Sequence, residues 1–449
     1  MQQIRFILVL AVLLSPLASA RAQAVNAPPA PVPVGTAPAA AETLAHDDVA
    51  PLPPDRLPFA HQGVLVEKLN GQVVREVAAD QSFNPASAIK LATALVALRT
   101  FGPRHRFKTT IWVTGTFDET TGTVTGDLVL SGRDPAFRDE HAVAVARELN
   151  RLGIRTVTGD LIVAPKFTLN FSASSQRSGE RFYDALDATR RPAAVARAWA
   201  DSRVTLGDAE GLREAPSVAV MGAVYVGSAP AGSRVVSMHQ SPPLVDILKA
   251  LLCYSNNFLA ERIGDAVGGA VGIERYLSTE LKIPAADFRL ATASGLGVNR
   301  LTPRHMMKVY RALLDVLHEH DLRAADILPV AGIDPGTLQR RYENSPGRGS
   351  VIAKTGTLNR TDAGASALVG QMRAKSGETL LFVVFNMRGS VPRFRAQQDA
   401  FVSLVQAERG GPLPFTYQPQ ALAMRLSASA FESRQTANRD DGGEYEGQN

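Results

Sequence analysis

The spacing of apolar and polar positions outlines the elements of this chain before any chemistry is considered. From Gly63, the apolar run Val64-Leu65-Val66 and residues 72–78 flank Asn70-Gly71. That pair predicts a two-residue hairpin turn, in which both central positions need positive φ. Asn84-Pro85-Ala86-Ser87 then opens a helical stretch to about Arg99, with Asn84 suited to the N-cap and Pro85 to the first helical position. Between Leu91 and Leu98 no face carries a charge. A helix apolar all round is a buried one, so this helix is expected to run through the middle of a domain. Residues 104–232 change character. Residues 109–113 and 123–130 alternate with a period of two around a polar turn at 118–122. A short echo follows: Val124-Thr125-Gly126-Asp127-Leu128-Val129 recurs as Val157-Thr158-Gly159-Asp160-Leu161-Ile162, with a helix predicted over 141–152 between them. Two copies are too few for a solenoid, so the segment reads as a β-rich inserted module. From Val235 the helical pattern returns, through 244–252 and 258–267. Two apolar strands at 366–372 and 379–387 are joined by a loop at Lys375-Ser376-Gly377, and an amphipathic helix covers about 392–408.

The two ends read differently. Arg5, the unbroken apolar run 6–14 and the small residues after it predict an export signal over 1–24, cleaved after Ala20 or Ala24. Nine apolar residues cannot cross a hydrocarbon core that needs about 20. Residues 25–57 are rich in Ala and Pro and predict a spacer. Residues 409–449 are polar and predict a disordered tail.

Composition narrows the classes. With 449 residues, 45% hydrophobic and 20% charged, the chain can bury substantial cores. Cys253 is the single cysteine, which excludes an internal disulfide and any C-x-x-C motif. The net charge of +5 is spread along the chain, which argues against a nucleic-acid partner and leaves membrane contact at most peripheral. Only nine residues are lysine, and two of them lie in motifs.

The first motif is Ser87-Ala88-Ile89-Lys90. Residues three apart share a helix face, so the amine lies one turn from the hydroxyl. A lysine desolvated in a buried helix can be neutral enough to activate a serine. Roughly 0.5 such pairs are expected by chance, so position on the buried helix gives this one its weight. The second, Ser255-Asn256-Asn257, lies between two helical stretches and can aim a hydroxyl and an amide into one cleft. The third, Lys354-Thr355-Gly356-Thr357 after Val351-Ile352-Ala353, reads as a strand with a fixed cation and a glycine that admits close backbone approach. Chance supplies roughly 0.04 Lys-Thr-Gly runs in so lysine-poor a chain. The order S-x-x-K, S-x-N, K-T-G is the signature of penicillin-binding proteins and serine β-lactamases.

On these residues the chain resembles the class C low-molecular-mass penicillin-binding proteins, the D-alanyl-D-alanine carboxypeptidase/endopeptidase family, over most of 58–408. Gly332 to Leu338 before the third motif and Pro242-Pro243-Leu244 before Ser255 fit that family, as does the interval of 168 residues between Ser87 and Ser255. Ala293-Ser294-Gly295-Leu296-Gly297 departs from the Asp-Gly-Ser-Gly-Leu-Ser stretch of the family. The resemblance implies an α/β (α+β) catalytic domain of the penicillin-binding-protein/serine β-lactamase kind, made of 58–103 and 233–408, with 104–232 inserted. It implies Ser87 as nucleophile, Lys90 as its base, Ser255 as a proton relay and Asn257 as a holder of Lys90 or of substrate. Lys354, Thr355, Gly356 and Thr357 would bind a substrate carboxylate and extend the subsite, and the backbone N–H groups of Ser87 and Thr357 would form the oxyanion hole. The implied substrate is a peptidoglycan stem peptide and the implied inhibitors are β-lactams. No metal or cofactor is required, and the compartment would be the periplasm. Two alternatives stay open. A serine β-lactamase of the same fold lacks support, since no Glu-x-x-Leu-Asn lies between the second and third motifs. A non-catalytic wall-binding protein with a relic site is the other, since fold does not guarantee function.

Overall fold

The computed structural model describes residues 61–419 and 421–433. The predicted export signal and spacer, and residues 434–449, lie outside them. Five antiparallel strands form the central sheet in the order Val351–Leu358, Ala365–Arg373, Thr379–Met387, Gln62–Lys68, Val73–Val77. The first strand of the described chain therefore pairs with Thr379–Met387, more than 300 residues later, with Leu65 opposite Val383. One face carries Leu65, Val369, Leu381, Val383 and Phe385 against a helical layer built around Lys90–Phe101 and Pro303–Glu319. The other face carries Val64, Val66, Leu368, Phe382 and Val384 against Val402 and Val405 of the helix Val391–Ala407. Burial on both faces explains why residues 380–385 are apolar without alternation. Lys90 through Leu98 are all buried, as their lack of surface charge predicts.

Several expectations are corrected. The hairpin turn has positive φ only at Gly71; Lys68 and Gln72 pair around a three-residue loop, and the Asn70 side chain accepts from the Gln72 N–H at 3.1 Å. The α-helix starts at Lys90, because Ala86–Ile89 form a tighter 3₁₀ turn that carries Ser87. Residues 234–240, read as the return of the helical pattern, form the strand Arg234–Gln240, which pairs with Lys108–Val113. The module is mixed rather than β-rich. A six-stranded sheet runs in the order Val224–Val226, Leu161–Val163, Leu128–Gly132, Lys108–Val113, Arg234–Gln240, Ala430–Ser433, beside a small four-stranded sheet. Helices at Asp139–Arg151, Ser175–Leu186 and Ala193–Leu206 cover it. The spacing predicts neither Ser175–Leu186, whose outer face is polar, nor the alanine-rich Ala193–Leu206.

The sequence echo has a third, degenerate copy at Val220-Met221-Gly222-Ala223-Val224. The copies stack in parallel: the Gly159 N–H donates to Gly126 O and the Gly222 N–H to Gly159 O, each at 2.8 Å. Asp127 Oδ1 accepts from the Asp160 N–H at 2.9 Å and Asp160 Oδ1 from the Ala223 N–H at 2.8 Å. Each Gly-Asp pair is thus a socket for the next copy.

The expected disordered tail is also corrected for its described part. Phe415 and Tyr417 pack on the core between the central sheet and its helical layer, Leu422–Ser427 is a helix with Leu422 and Leu426 buried, and Ala430–Ser433 adds the edge strand of the module sheet. The polar average over 409–449 concealed these few apolar anchors.

Candidate active site

A turn held by several independent bonds presents the first motif's serine. Ala86 sits at φ 47°, the left-handed region that side chains disfavour. Asn84 holds it there: its Oδ1 accepts from the Ala86 N–H at 3.0 Å, while its Nδ2 donates to Gly297 O at 3.1 Å and Asp362 Oδ2 at 2.6 Å. Arg300 in turn grips Asp362 through both carboxylate oxygens, at 2.8 and 3.0 Å. Two glycines let neighbouring backbone close on the turn. A Cβ at Gly295 would lie 2.0 Å from Ala86 O, and one at Gly356 2.6 Å from Pro85 O.

Lys90 is fully buried, and its Nζ has three partners: Ser87 Oγ at 3.0 Å, Asn257 Oδ1 at 2.7 Å and Ser294 O at 2.6 Å. The last two can only accept. Burial pushes the Lys90 ammonium down to about 7, and the Glu261 carboxylate pulls partway back. Glu261 also accepts from the Ser294 N–H at 2.9 Å, so it fixes the residue whose carbonyl meets Lys90.

The second motif is a junction between helices. Ser255, at φ 54°, ends the helix Leu244–Tyr254. Asn256 caps the next, Asn257–Ala266, its Oδ1 accepting from the Leu259 N–H at 3.0 Å. The middle residue therefore makes the turn, and Ser255 and Asn257 face the two lysines. Lys354 Nζ donates to Ser255 Oγ at 2.8 Å and to Thr355 O at 2.6 Å. Burial foremost, and then the charge on Lys90, hold the Lys354 ammonium well below its usual range. Among the described residues no carboxylate hydrogen-bonds either lysine. Thr355 is buried beside Lys354; Thr357 Oγ1 donates to Gly356 O at 2.8 Å and accepts from Arg395 Nη2 at 2.9 Å.

All eight residues singled out from the motifs thus lie at this cleft. Three contributors were not foreseen. Glu261 lies four residues after Asn257 on the same helix face, a spacing that could have revealed it. Ser294 acts through backbone, which leaves no side-chain signal, and Arg395 sits on a helix without a motif. The segment 293–297, which departs from the family stretch, also contributes through its backbone: the Ser294 carbonyl meets Lys90, the Ala293 carbonyl accepts from Thr93 Oγ1 at 2.6 Å, and Gly297 O accepts from Asn84. The module also reaches the cleft flank, where Phe171 packs edge-on against Phe258, the neighbour of Asn257, with centroids 5.6 Å apart.

A five-stranded sheet with helices on both faces, and two buried lysines each bonded to a serine in one cleft, define the class of penicillin-binding proteins and serine β-lactamases. Within that class, the model of the D-Ala-D-Ala carboxypeptidase 3 (S13) family matches residues 47–166 and 187–407, and the chain belongs to this family. It is a serine-type D-Ala-D-Ala carboxypeptidase. The D-alanyl-D-alanine carboxypeptidase of Actinomadura sp. (strain R39) is 28% identical, aligned over 78% of this chain and 81% of that protein. A carboxypeptidase of Mycobacterium tuberculosis is 33% identical over 40% of this chain and 41% of that one. Among solved structures, a penicillin G-acylated predatory endopeptidase of Bdellovibrio bacteriovorus shares the fold. Its TM-score is 0.69 at 23% identity, covering 82% of this chain and 99% of that one. Penicillin-binding protein 4 of Haemophilus influenzae gives 0.55 at 20% identity, over 77% and 96%. No helix among the described residues is long and apolar enough to cross a membrane.

Proposed function

We propose that the enzyme hydrolyses peptidoglycan stem peptides through an acyl-enzyme on Ser87, with Lys90 as its base. The observation that carries this is the set of Lys90 partners. A neutral amine has two N–H donors and one lone pair; the Asn257 and Ser294 oxygens take both donors, which leaves the lone pair facing Ser87 Oγ. Ser87 Oγ bonds to the carbonyl carbon between two D-alanines and its proton passes to Lys90. The C–N bond then breaks, and the departing amine takes a proton relayed from Lys90 through Ser255, to which Lys354 Nζ donates. The N–H groups of Ser87 and Thr357 stabilise the oxyanion, and Lys354, Thr355 and Thr357 receive the terminal carboxylate. Water then adds to the ester carbon, the bond to Ser87 Oγ breaks, and the serine regains its proton. Penicillins enter as mimics of the dipeptide and leave Ser87 blocked. The compartment fitting this substrate and the N-terminal signal is the periplasm.

Intact-protein mass spectrometry after penicillin G treatment tests the assignment. One penicilloyl adduct is expected on the wild type and none on Ser87→Ala; no adduct on the wild type, or one persisting in the variant, rejects it. Mass analysis of digested sacculi separates release of terminal D-alanine from cutting of crosslinks.

A further inference from the structure

Lys249 is a third fully buried lysine among the described residues, on the helix Leu244–Tyr254 and six residues before Ser255. Unlike Lys90 and Lys354 it meets a carboxylate. Its Nζ donates to Asp334 Oδ2 at 2.7 Å, Leu328 O at 2.7 Å and Ala325 O at 2.8 Å. Asp334 Oδ2 also accepts from the Val330 N–H at 2.8 Å, and Asp334 Oδ1 accepts from the Tyr417 hydroxyl at 2.8 Å. The Tyr417 ring lies 5.1 Å from the Lys249 ammonium.

This network holds the segment 325–337 between two catalytic elements. On one side the Thr337 N–H donates to Cys253 O at 2.9 Å, two residues before Ser255. Gly336 presses so close that a Cβ would lie 2.2 Å from the same carbonyl. On the other side Val330 bridges Ile352 and the Ala331 N–H donates to Val351 O at 2.9 Å, on the strand that carries Lys354. Asp334 is the node where the two attachments meet. A buried ion pair adds little stability over an apolar pair of the same volume, because desolvation offsets the attraction, whereas its directional bonds fix geometry. Small displacements at a reacting centre cost rate steeply.

We propose that Tyr417, Asp334 and Lys249 act as a positioning network that sets Ser255 against Lys354, and so sets the proton relay to the leaving amine. The inference rests on the relay role given to Ser255 above. Its outermost member comes from the described part of the C-terminal segment.

The test uses the full chain with Tyr417→Phe, which removes one hydroxyl. Acylation by penicillin G is expected to slow about five- to tenfold, with half-saturation within about twofold and the thermal midpoint within about 3 °C of wild type. In a Ser255→Ala background the same change should cost nothing further. Lys249→Met/Asp334→Leu, which replaces the ion pair by apolar side chains, should also acylate slowly while folding as stably as the wild type. A wild-type rate in Tyr417→Phe, an equal fold-loss in both backgrounds, or slowing in step with a lowered midpoint each overturns the proposal. No adduct on the wild type would instead remove the acyl-transfer reading beneath it.

Discussion

A lysine without a carboxylate in a dry cleft is unfavourable as an ammonium, and that penalty is what makes Lys90 usable as a base. Its folded pKa lies near 7 while that of the unfolded chain lies near 10.5, so the unfolded chain binds more protons between those values. Lys90 therefore opposes folding fully below about pH 7, and the penalty fades as pH rises toward 10.5. Lys90→Met should stabilise the fold by about 1–4 kcal/mol, more at pH 6 than at pH 9 in urea titrations. It should also slow penicillin acylation by at least about 10³-fold. With the wild type, acylation should rise with pH to half its plateau near pH 7. Glu261→Gln can still accept from the Ser294 N–H but loses the negative charge that favours the ammonium. The acid limb should therefore move below pH 7, measured as the pH profile of acylation by a chromogenic β-lactam; an unmoved limb would show that Glu261 does not tune Lys90.

At the scale of elements, the site is made by places where regular structure stops. The 3₁₀ turn before Lys90, the left-handed Ser255 between two helices, and the turn at Gly295 are such interruptions, and they close against the regular strand Val351–Leu358, where Gly356 admits the serine turn. Gly295→Ala combines a φ of +81° with a Cβ 2.0 Å from Ala86 O, so the serine turn must shift. A loss of about 1–3 kcal/mol in denaturant unfolding and at least tenfold slower acylation are expected. The motifs announced the side chains at these points. They did not announce the carbonyls of Ala293, Ser294 and Gly297, because a backbone group is the same in every residue and leaves no mark in composition or period.

At the scale of the whole molecule, the C-terminal segment joins the parts. After the helix Val391–Ala407 it lays Tyr417 on the catalytic core, packs Leu422–Ser427 on the helices Leu244–Tyr254 and Ala193–Leu206, and ends as a strand of the module sheet. A chain ending at Ala421 keeps Tyr417 but loses that helix and strand. Removing the buried Leu422 and Leu426 and the partly buried Phe431 should cost about 3–6 kcal/mol in urea unfolding. Penicillin acylation at 25 °C should stay within about threefold of the full chain, since no member of the cleft is removed. A truncated chain as stable as the full one would show that the segment only decorates the surface.

The sequence alone determined the elements whose pattern follows from what they bury, and the side chains whose chemistry is bound to a motif. The uncharged helix after Ser87, the two apolar strands at 365–387, and Ser87, Lys90, Ser255, Asn257 and Lys354 were legible because burial and reactivity constrain residue type locally. Tertiary structure alone decided that Arg234–Gln240 is a strand, that residues 409–419 and 421–433 are anchored, and that the Ser294 carbonyl and Arg395 complete the cleft. Those depend on partners more than 30 residues away, such as Lys108–Val113 for the strand and Thr357 for Arg395. A periodicity read along the chain carries no information about what the fold will bring alongside it.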